Sequence, residues 1–474
     1  MTGRPNVVLL RRDLRLADNP ALFAAARCGA PIIPLFVFDE REPFAPRGAG
    51  HWQLHNSLES LGKSLSTVGL TLVLRRGPMA QTAFEFAQEA GARGVFWNRR
   101  YEAGEIAADK GLKAQLSAAG IEPESFSGSL LREPWELKTG SGGPYKLFTP
   151  FWRALKKAGP ARSPVPAPEN AAPPSRMPPS EQLTEWGLLP RRPDWASEFA
   201  DSWAPGESGA EAALIRFLDE AAENYPEGRD RPSNVGTSRL SPHLAFGEIS
   251  ALTIWNAVHA RLAAGAISET AADKFLSELA WRDFNYTLLY YNPEISEKPI
   301  IPKFASIPWR RDKDAFNAWT KGMTGYPIVD AGMRELWRTG WVHNRVRMIA
   351  ASFLVKDLLI DWREGERWFR DTLLDADAAN NPANWQWVAG CGADASPWIR
   401  IFNPVTQGER FDPDGDYVRR FVPELANVPS RFIHRPWEAP GEVLAKAGVT
   451  LGADYPNPLV DHAEARRRAL RIFD

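Results

Sequence analysis

The chain has 474 residues, of which 44% are hydrophobic, and its 57 basic and 58 acidic side chains leave a formal net charge of −1. A chain of this length can form two or three domains with sizeable cores, which excludes a mini-protein held together by disulfides. No apolar stretch approaches the ~18 residues of a membrane span and no signal peptide begins the chain, so we expect a cytoplasmic protein without a membrane partner.

Two residue types are informative by their number. Only two cysteines are present, Cys28 and Cys391, and they lie far apart in the sequence. This predicts a reducing compartment and argues against a structural zinc site. Tryptophan is abundant, with 19 residues, of which 12 lie beyond residue 250.

The first part of the chain, 1–135, alternates strand and helix patterns. Strands are predicted over Asn6–Leu10, Pro31–Phe38, Leu70–Arg76, Gly94–Asn98 and Pro123–Phe126. Helices are predicted between them over His51–Val68, Met79–Ala90 and Gly104–Ala119. This alternation predicts an α/β domain with a doubly wound parallel sheet. The charged run Arg11–Arg15 follows the first strand in place of G-x-G-x-x-G, which disfavours ordinary dinucleotide binding.

The remainder of the chain divides into a linker and a helical domain. Residues 136–205 are predicted to be an interdomain linker, because 158–180 contain eight prolines. Residues 206–474 are predicted to form a large all-α domain. Its clearest helical patterns cover Ile249–Ala264, Glu269–Tyr291, Ile328–Arg338 and Asn344–Leu359, with a helix start at Ser268 and a helix end at Gly265.

A basic stretch lies inside the helical domain. Between Lys298 and Lys356 there are eleven Lys/Arg and four Asp/Glu. Four tryptophans are interleaved with these charges: Trp309, Trp319, Trp337 and Trp341. The combination suits a polyanion whose bases can stack, such as nucleic acid, although a solvated helix surface would also explain the charges.

Several polar clusters are candidates for ligand binding. The run Gly236–Pro242 has hydroxyls at a loop-to-helix junction, where backbone N–H groups can hold phosphate; a plain N-cap by Ser241 is the alternative. Glu278, Trp281 and Asn285 share one side of a predicted helix. Capped turns or core packing would explain each cluster separately, whereas together the clusters fit a planar ligand with many polar edges.

Hydrolytic and metal-dependent chemistry find little support in the sequence. There is no G-x-S-x-G, H-E-x-x-H or P-loop pattern. His51 and His55 are the best metal pair, but they have no evident third ligand, so no metal is predicted.

The motifs resemble those of the photolyase/cryptochrome flavoproteins, with residue choices closest to the microbial cyclobutane pyrimidine dimer photolyases. The resemblance rests on Arg12–Leu16 with Asp18–Pro20, Gly236–Leu240, Trp281–Phe284, Gly325–Asp330 and Asn384–Trp387. It implies an N-terminal antenna domain and a helical domain that binds FAD, which is active as FADH⁻. The implied FAD contacts are Tyr225, Thr237, Ser238, Arg239, Leu240, Ser241, Arg347 paired with Asp375, Asp377, and Asn381 at flavin N5.

The resemblance also implies a reaction, in which photoexcited FADH⁻ gives an electron to a cyclobutane dimer flipped out of DNA and then recovers it. The enzyme would be a deoxyribodipyrimidine photo-lyase, expected to act as a monomer. The residues implied at the dimer are Glu278, Asn344, Met348, Trp281 and Trp387. Those implied at the DNA are Arg229, Glu278, Trp281, Arg282, Asn285, Asn344, Arg345 and Gln407. A Glu278 that donates to a dimer carbonyl must be protonated, which requires a raised pKa.

Two further expectations follow from the same resemblance. Trp385, Trp362 and Trp309 would carry electrons between the flavin and the surface; we refer to them as the tryptophan chain. The antenna would be a reduced folate (5,10-methenyltetrahydrofolate) or an 8-hydroxy-5-deazaflavin, with Glu105 as one contact.

The alternative function is that of a cryptochrome, a blue-light receptor without repair activity. Met348, Asn381 and the lack of a long tail after Asp474 favour repair.

Overall fold

A computed structural model describes residues 3–169, 171–394 and 400–473. The N-terminal part contains a five-stranded parallel sheet with the strand order β3-β2-β1-β4-β5. The strands are β1 Asn6–Leu10, β2 Ile32–Phe38, β3 Val73–Arg76, β4 Gly94–Asn98 and β5 Glu122–Phe126. The connecting helices are α1 Pro20–Arg27, α2 Ala49–Thr67, α3 Met79–Glu89 and α4 Ala103–Ala118. The predicted doubly wound α/β fold is thus confirmed.

Both faces of the sheet are buried, which explains why its central strands β1, β2 and β4 are apolar apart from Asn6 and Asn98 at their ends. Val8 and Leu10 of β1 pack with α1 and α2 on one face. Val7 and Leu9 pack with α3 and α4 on the other face. Strand β3 starts later than predicted, because the backbone N–H of Leu70 closes the end of α2 by donating to the Leu65 carbonyl.

The predicted linker, 136–205, is more structured than its prolines suggest, and we call it the strap. It contains α5 Phe148–Ala158 and α6 Phe199–Ser202. The apolar face of α5 packs into the helical domain. The strap then returns to the sheet, where Trp186 stacks on Phe38 with ring centroids 5.5 Å apart. It re-enters the helical domain at Trp203, whose indole N–H donates to the Thr339 carbonyl at 2.7 Å.

The rest of the described chain is helical, as predicted. Its helices are α7 Glu207–Glu220, α8 Tyr225–Gly228, α9 Ser241–Phe246, α10 Ala251–Ala263, α11 Glu269–Tyr291, α12 Lys313–Thr320, α13 Pro327–Thr339, α14 Asn344–Ser352, α15 Trp362–Thr372, α16 Asn380–Ala389, α17 Pro404–Phe411, α18 Asp416–Phe421, α19 Ser430–Ile433, α20 Gly441–Ala447 and α21 His462–Phe473. The predicted helix Asn344–Leu359 ends earlier, since a π-helical turn follows at Phe353–Asp357. None of the helices in the described ranges is long and apolar enough to cross a membrane.

Close polar contacts fix the α/β domain against the helical domain. The Asp283 carboxylate on α11 accepts from the backbone N–H groups of Leu131 and Arg132, at 2.8 and 3.1 Å. Gly247, at the end of α9, has φ +68°, and a Cβ there would clash with the backbone of Arg12. Glycine at this position therefore lets the first loop of the α/β domain reach the helices that enclose the site.

Candidate active site

The main cavity lies within the helical domain and has a volume of about 460 Å³. Its walls come from α8, α9, α11, α14, α15 and α16, and from the loop before α16. Of the residues predicted at FAD, at the dimer or in the tryptophan chain, those that line the cavity are Tyr225, Ser238, Leu240, Ser241, Glu278, Trp281, Asn344, Arg347, Met348, Asp375, Asp377, Asn381, Trp385 and Trp387. The fold thus brings together residues that are up to about a third of the chain apart.

Glu278 projects from α11 into the cavity and is ion-paired there. Its carboxylate contacts the Arg229 guanidinium and, at 2.9 Å, the Lys274 ammonium. Burial raises the pKa of Glu278, but the hydrogen bond and positive charge of Arg229, together with Lys274, outweigh burial and hold the pKa below its ordinary value. A protonated Glu278 with a raised pKa is therefore wrong for this structure. As a carboxylate, Glu278 can only accept hydrogen bonds.

The predicted ion pair between Arg347 and Asp375 is present at the cavity wall. It is bidentate, with N–O distances of 3.0 and 2.7 Å, and Arg347 Nε also donates to the Val342 carbonyl. Nearby, His343 caps α14 by accepting from the Arg345 N–H. Burial, reinforced by the neighbouring arginines, lowers the pKa of His343 to about 3 despite Asp230. The imidazole is neutral, so the positive charge at this wall comes from the arginines.

Asn381 has its amide nitrogen fully engaged. Its Nδ2 donates to the Glu366 backbone carbonyl and to the Glu366 carboxylate, both at 3.0 Å. Burial raises the pKa of Glu366, against the opposing charge of Arg370. With both amide hydrogens used, only Oδ1 of Asn381 remains for a ligand, so this side chain presents an acceptor to the cavity.

The hydroxyl-rich loop before α9 is only partly directed at the cavity. Ser241 Oγ accepts from the Trp341 indole N–H at 3.2 Å, which leaves its own hydrogen free to donate. Ser238 also lines the cavity, whereas Thr237 and Arg239 do not. The guanidinium of Arg239 lies over the rings of Trp203 and Trp341, 5.1 and 4.7 Å from their centroids. The expected contacts of these two side chains with FAD are therefore not supported.

The predicted apolar wall is formed by Trp281, Trp387 and Met348. Phe148 of the strap stacks on Trp281, with ring centroids 3.8 Å apart and planes within 8°. This contact fixes the orientation of the Trp281 ring at the cavity.

Most of the residues predicted to contact DNA bond to other residues of the protein, and one lies away from the cavity. Arg229 is held by Glu278, and Arg345 donates to Asp230 at 2.8 Å. Arg282 and Asn285 line the cavity and bond within the protein, to Ser129 and Asn380. Their placement suits contact with a base inside the cavity rather than with a strand outside it. Gln407 lies on α17, outside the cavity lining.

The basic stretch Lys298–Lys356 is not one nucleic-acid surface. Trp319 is completely buried and Trp341 is 7% exposed, so neither offers a face for base stacking. Lys356 is buried as well, and its ammonium donates to the Ala389 carbonyl. Helical packing turns Trp319 and Trp341 inward, whereas Trp337 is 49% exposed, so the four tryptophans do not form one continuous stacking surface.

The three members of the predicted tryptophan chain differ in burial. Trp385 lines the cavity, Trp362 is buried at the start of α15, and Trp309 is half-buried. Sequence reasoning missed Phe369, which lines the cavity and packs on Trp385 at 5.0 Å, and Trp319, 6.2 Å from Trp385. Phe369 follows Trp362 by seven residues, so helical periodicity could have placed both on one face of α15.

Glu105, predicted at the antenna, lies in the α/β domain and does not line the main cavity. Its carboxylate is 3.0 Å from Arg11, which also pairs with Asp109 at 2.9 Å. Burial and the neighbouring Glu105 raise the pKa of Glu42 to about 7. Glu105 is thus part of a buried acid–arginine cluster, which we define as Arg11, Glu42, Arg100, Glu105 and Asp109.

A parallel α/β domain fixed to a helical domain, with a ligand-sized cavity that has apolar walls and a few polar groups, is typical of a two-domain cofactor-binding protein. Family models match both parts: "DNA photolyase" over residues 6–169 and "FAD binding domain of DNA photolyase" over residues 275–474. The chain belongs to the photolyase/cryptochrome family. The resemblance read from the motifs is therefore confirmed, and the helical domain binds FAD.

Named relatives agree with this assignment. The chain is 52% identical over 469 residues to "Deoxyribodipyrimidine photo-lyase" of Agrobacterium fabrum, covering 99% of this chain and 97% of the relative. A crystal structure of a class III photolyase from Agrobacterium tumefaciens superposes with a TM-score of 0.97 at 52% identity, covering 100% of this chain and 98% of that one. Cryptochrome-1 of Arabidopsis thaliana is 37% identical over 482 residues, covering 98% and 70% respectively.

The residues of the cavity fit FAD. The free hydroxyl hydrogen of Ser241 suits a phosphate oxygen, and Asn381 Oδ1 suits an N–H group. Asp377 lies in the loop before α16, where it accepts from the Ala379 and Asn380 N–H groups. Cavities for cofactors are usually about 300–1,000 Å³ and combine apolar walls with a few placed polar groups, as here.

Proposed function

We propose that this protein is a light-driven DNA repair enzyme that splits cyclobutane pyrimidine dimers. The observation that carries the proposal is the cavity, whose lining combines two indoles and a thioether with a carboxylate, amides and most of the predicted flavin contacts. The named photo-lyase relative, at 52% identity over almost the whole chain, supports it. When bound, reduced FAD supplies the light absorption and the transferred electron.

The residues of the chain position the dimer. Trp281 and Trp387 offer flat apolar surface to the joined pyrimidines, and Met348 fills the space beside them. Glu278, ionised by Arg229, accepts from an N–H on a pyrimidine edge, and Asn344 supplies an amide nearby. A damaged pair stacks poorly and so leaves the duplex at lower cost than normal bases, which gives selectivity.

Charges around the cavity support the same reaction. Arg347 with Asp375 and Ser241 would hold the polar part of FAD, while Asn381 would accept at flavin N5 and Asp377 would border the pyrimidine edge of the ring.

Arg345 and Gln407 would contact the DNA backbone, and that contact should weaken with added salt. The tryptophan chain would reduce oxidised FAD in the light. Glu105 would contact an antenna chromophore in the α/β domain.

The test uses three defined oligonucleotides that carry a cyclobutane dimer, a (6-4) photoproduct or no lesion. The holoenzyme is reduced chemically and illuminated, and the lesions are counted by chromatography, with a dark sample as control. We expect light-dependent loss of the cyclobutane dimer only. Loss of the (6-4) lesion alone would show that the proposed substrate is wrong. An intact dimer with fully reduced flavin would instead favour the signalling function of a cryptochrome.

A further inference from the structure

One residue of the hydroxyl-rich loop, which spans residues 236–241, has an unusual backbone conformation. Arg239 has φ +53°, in the left-handed region that residues with a Cβ seldom occupy. Such a conformation costs free energy and persists only where surrounding contacts hold it, and it is found preferentially at functional sites. Ser238, Leu240 and Ser241 line the main cavity, whereas Arg239 does not. The loop thus presents the neighbours of Arg239 to the cavity and turns the Arg239 side chain away from it.

Two indole rings hold the side chain of Arg239. Its guanidinium carbon lies 5.1 Å from the ring centroid of Trp203 and 4.7 Å from that of Trp341. A guanidinium over an aromatic face is attracted by the ring quadrupole, and the indole of Trp is the strongest partner of this kind. Both indoles are buried, so water weakens the attraction only a little. The contacts that oppose the backbone strain at Arg239 therefore come from these two rings.

Each indole is itself fixed by a hydrogen bond. The Trp341 N–H donates to Ser241 Oγ at 3.2 Å, so this ring is joined directly to the loop. The Trp203 N–H donates to the Thr339 carbonyl at 2.7 Å, and Thr339 Oγ1 donates to the Trp341 carbonyl at 2.9 Å. Arg239 thus lies between one ring that is attached to the loop and one ring that the strap supplies. We call Arg239, Trp203 and Trp341 the strap clamp.

The strap side of the clamp is packed against the α/β domain. Trp203 lies in one apolar cluster with Trp341, Phe199 of the strap and Trp52 of α2. The rings of Trp52 and Phe199 make an edge-to-face contact with centroids 5.5 Å apart. None of Trp52, Phe199 and Trp203 is among the described residues that line the main cavity. These side chains can therefore act on a ligand in the cavity only through residues such as those of the loop.

We propose that Trp203 is a positioning residue for FAD, which through Arg239 locks the hydroxyl-rich loop in its binding conformation and slows the release of the cofactor. The inference rests on the part of the proposed function that places Ser241 at the polar part of FAD. Opening the loop requires the Arg239 guanidinium to leave both indole faces. Loss of the Trp203 ring should therefore speed FAD release, although no side chain that lines the cavity is changed.

The test compares Trp203→Phe with Trp203→Leu, since both variants lose the hydrogen bond to Thr339 and only Phe keeps an aromatic face for Arg239. The holoenzyme with oxidised FAD is diluted in the dark, and the fluorescence of released FAD gives the release rate. We expect Trp203→Leu to release FAD at least about fivefold faster than wild type, and Trp203→Phe to stay within about twofold of it. Phe23→Leu, which removes a ring from Arg27 on α1, is the matched control and should keep the wild-type rate.

A double-mutant cycle separates the strap clamp from simple packing. Arg239→Gln shortens and neutralises the side chain, and should speed FAD release about as much as Trp203→Leu. In the double variant the second change should add less than about twofold, because the interaction is already lost. Arg239→Lys keeps a cation near the indoles and should restore slow release. These two Arg239 variants leave the apolar cluster unchanged, so their comparison also decides the question if Trp203→Leu does not fold.

The outcomes separate this inference from the proposed function. Equal release rates for Trp203→Phe and Trp203→Leu would overturn the strap clamp, as would independent, multiplying effects in the double-mutant cycle or equal rates for the two Arg239 variants. An enzyme that shows the expected release rates but splits no dimers would disprove the repair function and support this inference. A wild-type protein that takes up no FAD would overturn both.

Discussion

Glu278 and Glu105 are both glutamates with an arginine partner, yet their surroundings differ. Glu278 borders a cavity of about 460 Å³ and its side chain is 28% exposed. Glu105 is 9% exposed and lies in the acid–arginine cluster, where Arg11 bridges it to Asp109. A carboxylate beside open space can exchange its partner for a ligand, whereas one inside a packed cluster mainly holds the fold together. A glutamate–arginine pair thus leaves the carboxylate accessible from a cavity in one region and encloses it within the fold in the other.

The largest effect is expected on the electron path that starts at the cavity wall. Replacing Trp362 by Phe removes the middle member of the tryptophan chain, so illumination should no longer reduce oxidised FAD. Repair by chemically reduced enzyme should persist, because the dimer site is untouched. Flavin absorbance under continuous light measures the first effect. The control Trp255→Phe, at another buried indole, should leave photoreduction intact; equal photoreduction in both variants would remove Trp362 from the path.

The stability role of the closed cluster is tested by Arg11→Met. This change leaves Glu105 and Asp109 buried without their partner, which should cost about 3–5 kcal/mol of unfolding free energy. Denaturant unfolding measures the loss, and the flavin content of the folded fraction should not change. Arg41→Met, which removes a 65% exposed partner of Asp39, should cost about 1 kcal/mol or less. Equal costs would mean that the cluster is not the closed structure described above.

Asp283, which joins the helical domain to the α/β domain, should make the free energy of unfolding depend on pH. Burial raises the pKa of Asp283 to about 7, in spite of Arg282 and the backbone N–H groups of Arg132 and Leu131. In the unfolded chain the Asp283 carboxyl loses its proton near pH 4, so its full contribution to the free energy of unfolding is present below that pH. As the pH rises to about 7, this contribution is lost and the free energy of unfolding falls by at most about 4 kcal/mol. Asp283→Asn should lose this dependence, as denaturation at several pH values would show. Asp273, a half-exposed residue on the same helix, provides the control, Asp273→Asn. Parallel pH curves for wild type and Asp283→Asn would contradict the assignment.

The smallest effect is expected for the ligand-facing carboxylate. Glu278→Gln keeps a hydrogen-bond acceptor and should retain substantial repair, whereas Glu278→Ala loses a charge-assisted bond worth about 1.5–3 kcal/mol, tenfold or more in dimer affinity. Dimer loss under light measures both variants. Glu269→Ala, on the exposed first turn of α11, is the control and should behave as wild type. Equal repair by the Gln and Ala variants would exclude Glu278 from the reaction.

The sequence predicted most of the architecture because hydrophobic periodicity reports which residues are buried. Helix Glu269–Tyr291 begins and ends where the pattern indicated, with Ser268 accepting from the Ala271 N–H. Local sequence patterns gave the wrong secondary structure where tertiary contacts determine it. The π-helical turn Phe353–Asp357 interrupts a continuous helical pattern, and the proline-rich strap contains a packed helix.

The site was less predictable than the fold. Motif positions located most of the cavity lining, but they did not show which side chains were already engaged. Glu278 is ionised because of Arg229, which is distant in sequence, and Arg239 is turned toward Trp203 and Trp341. Such partners come together only when the chain folds, so no reading of local spacing could reveal them.

The path of the strap has a consequence for light collection. From the helical domain it crosses to the sheet, where Ser180 Oγ accepts from the Leu74 N–H and Glu181 pairs with Arg76, and it then returns to Thr339. Opening a hinge between the domains would require the strap to lose its contacts with Leu74 and Arg76 of the sheet or its contact with Thr339 of the helical domain. A second pigment held by the α/β domain would therefore keep a constant distance and angle to the flavin, and excitation could pass between the two without any domain motion.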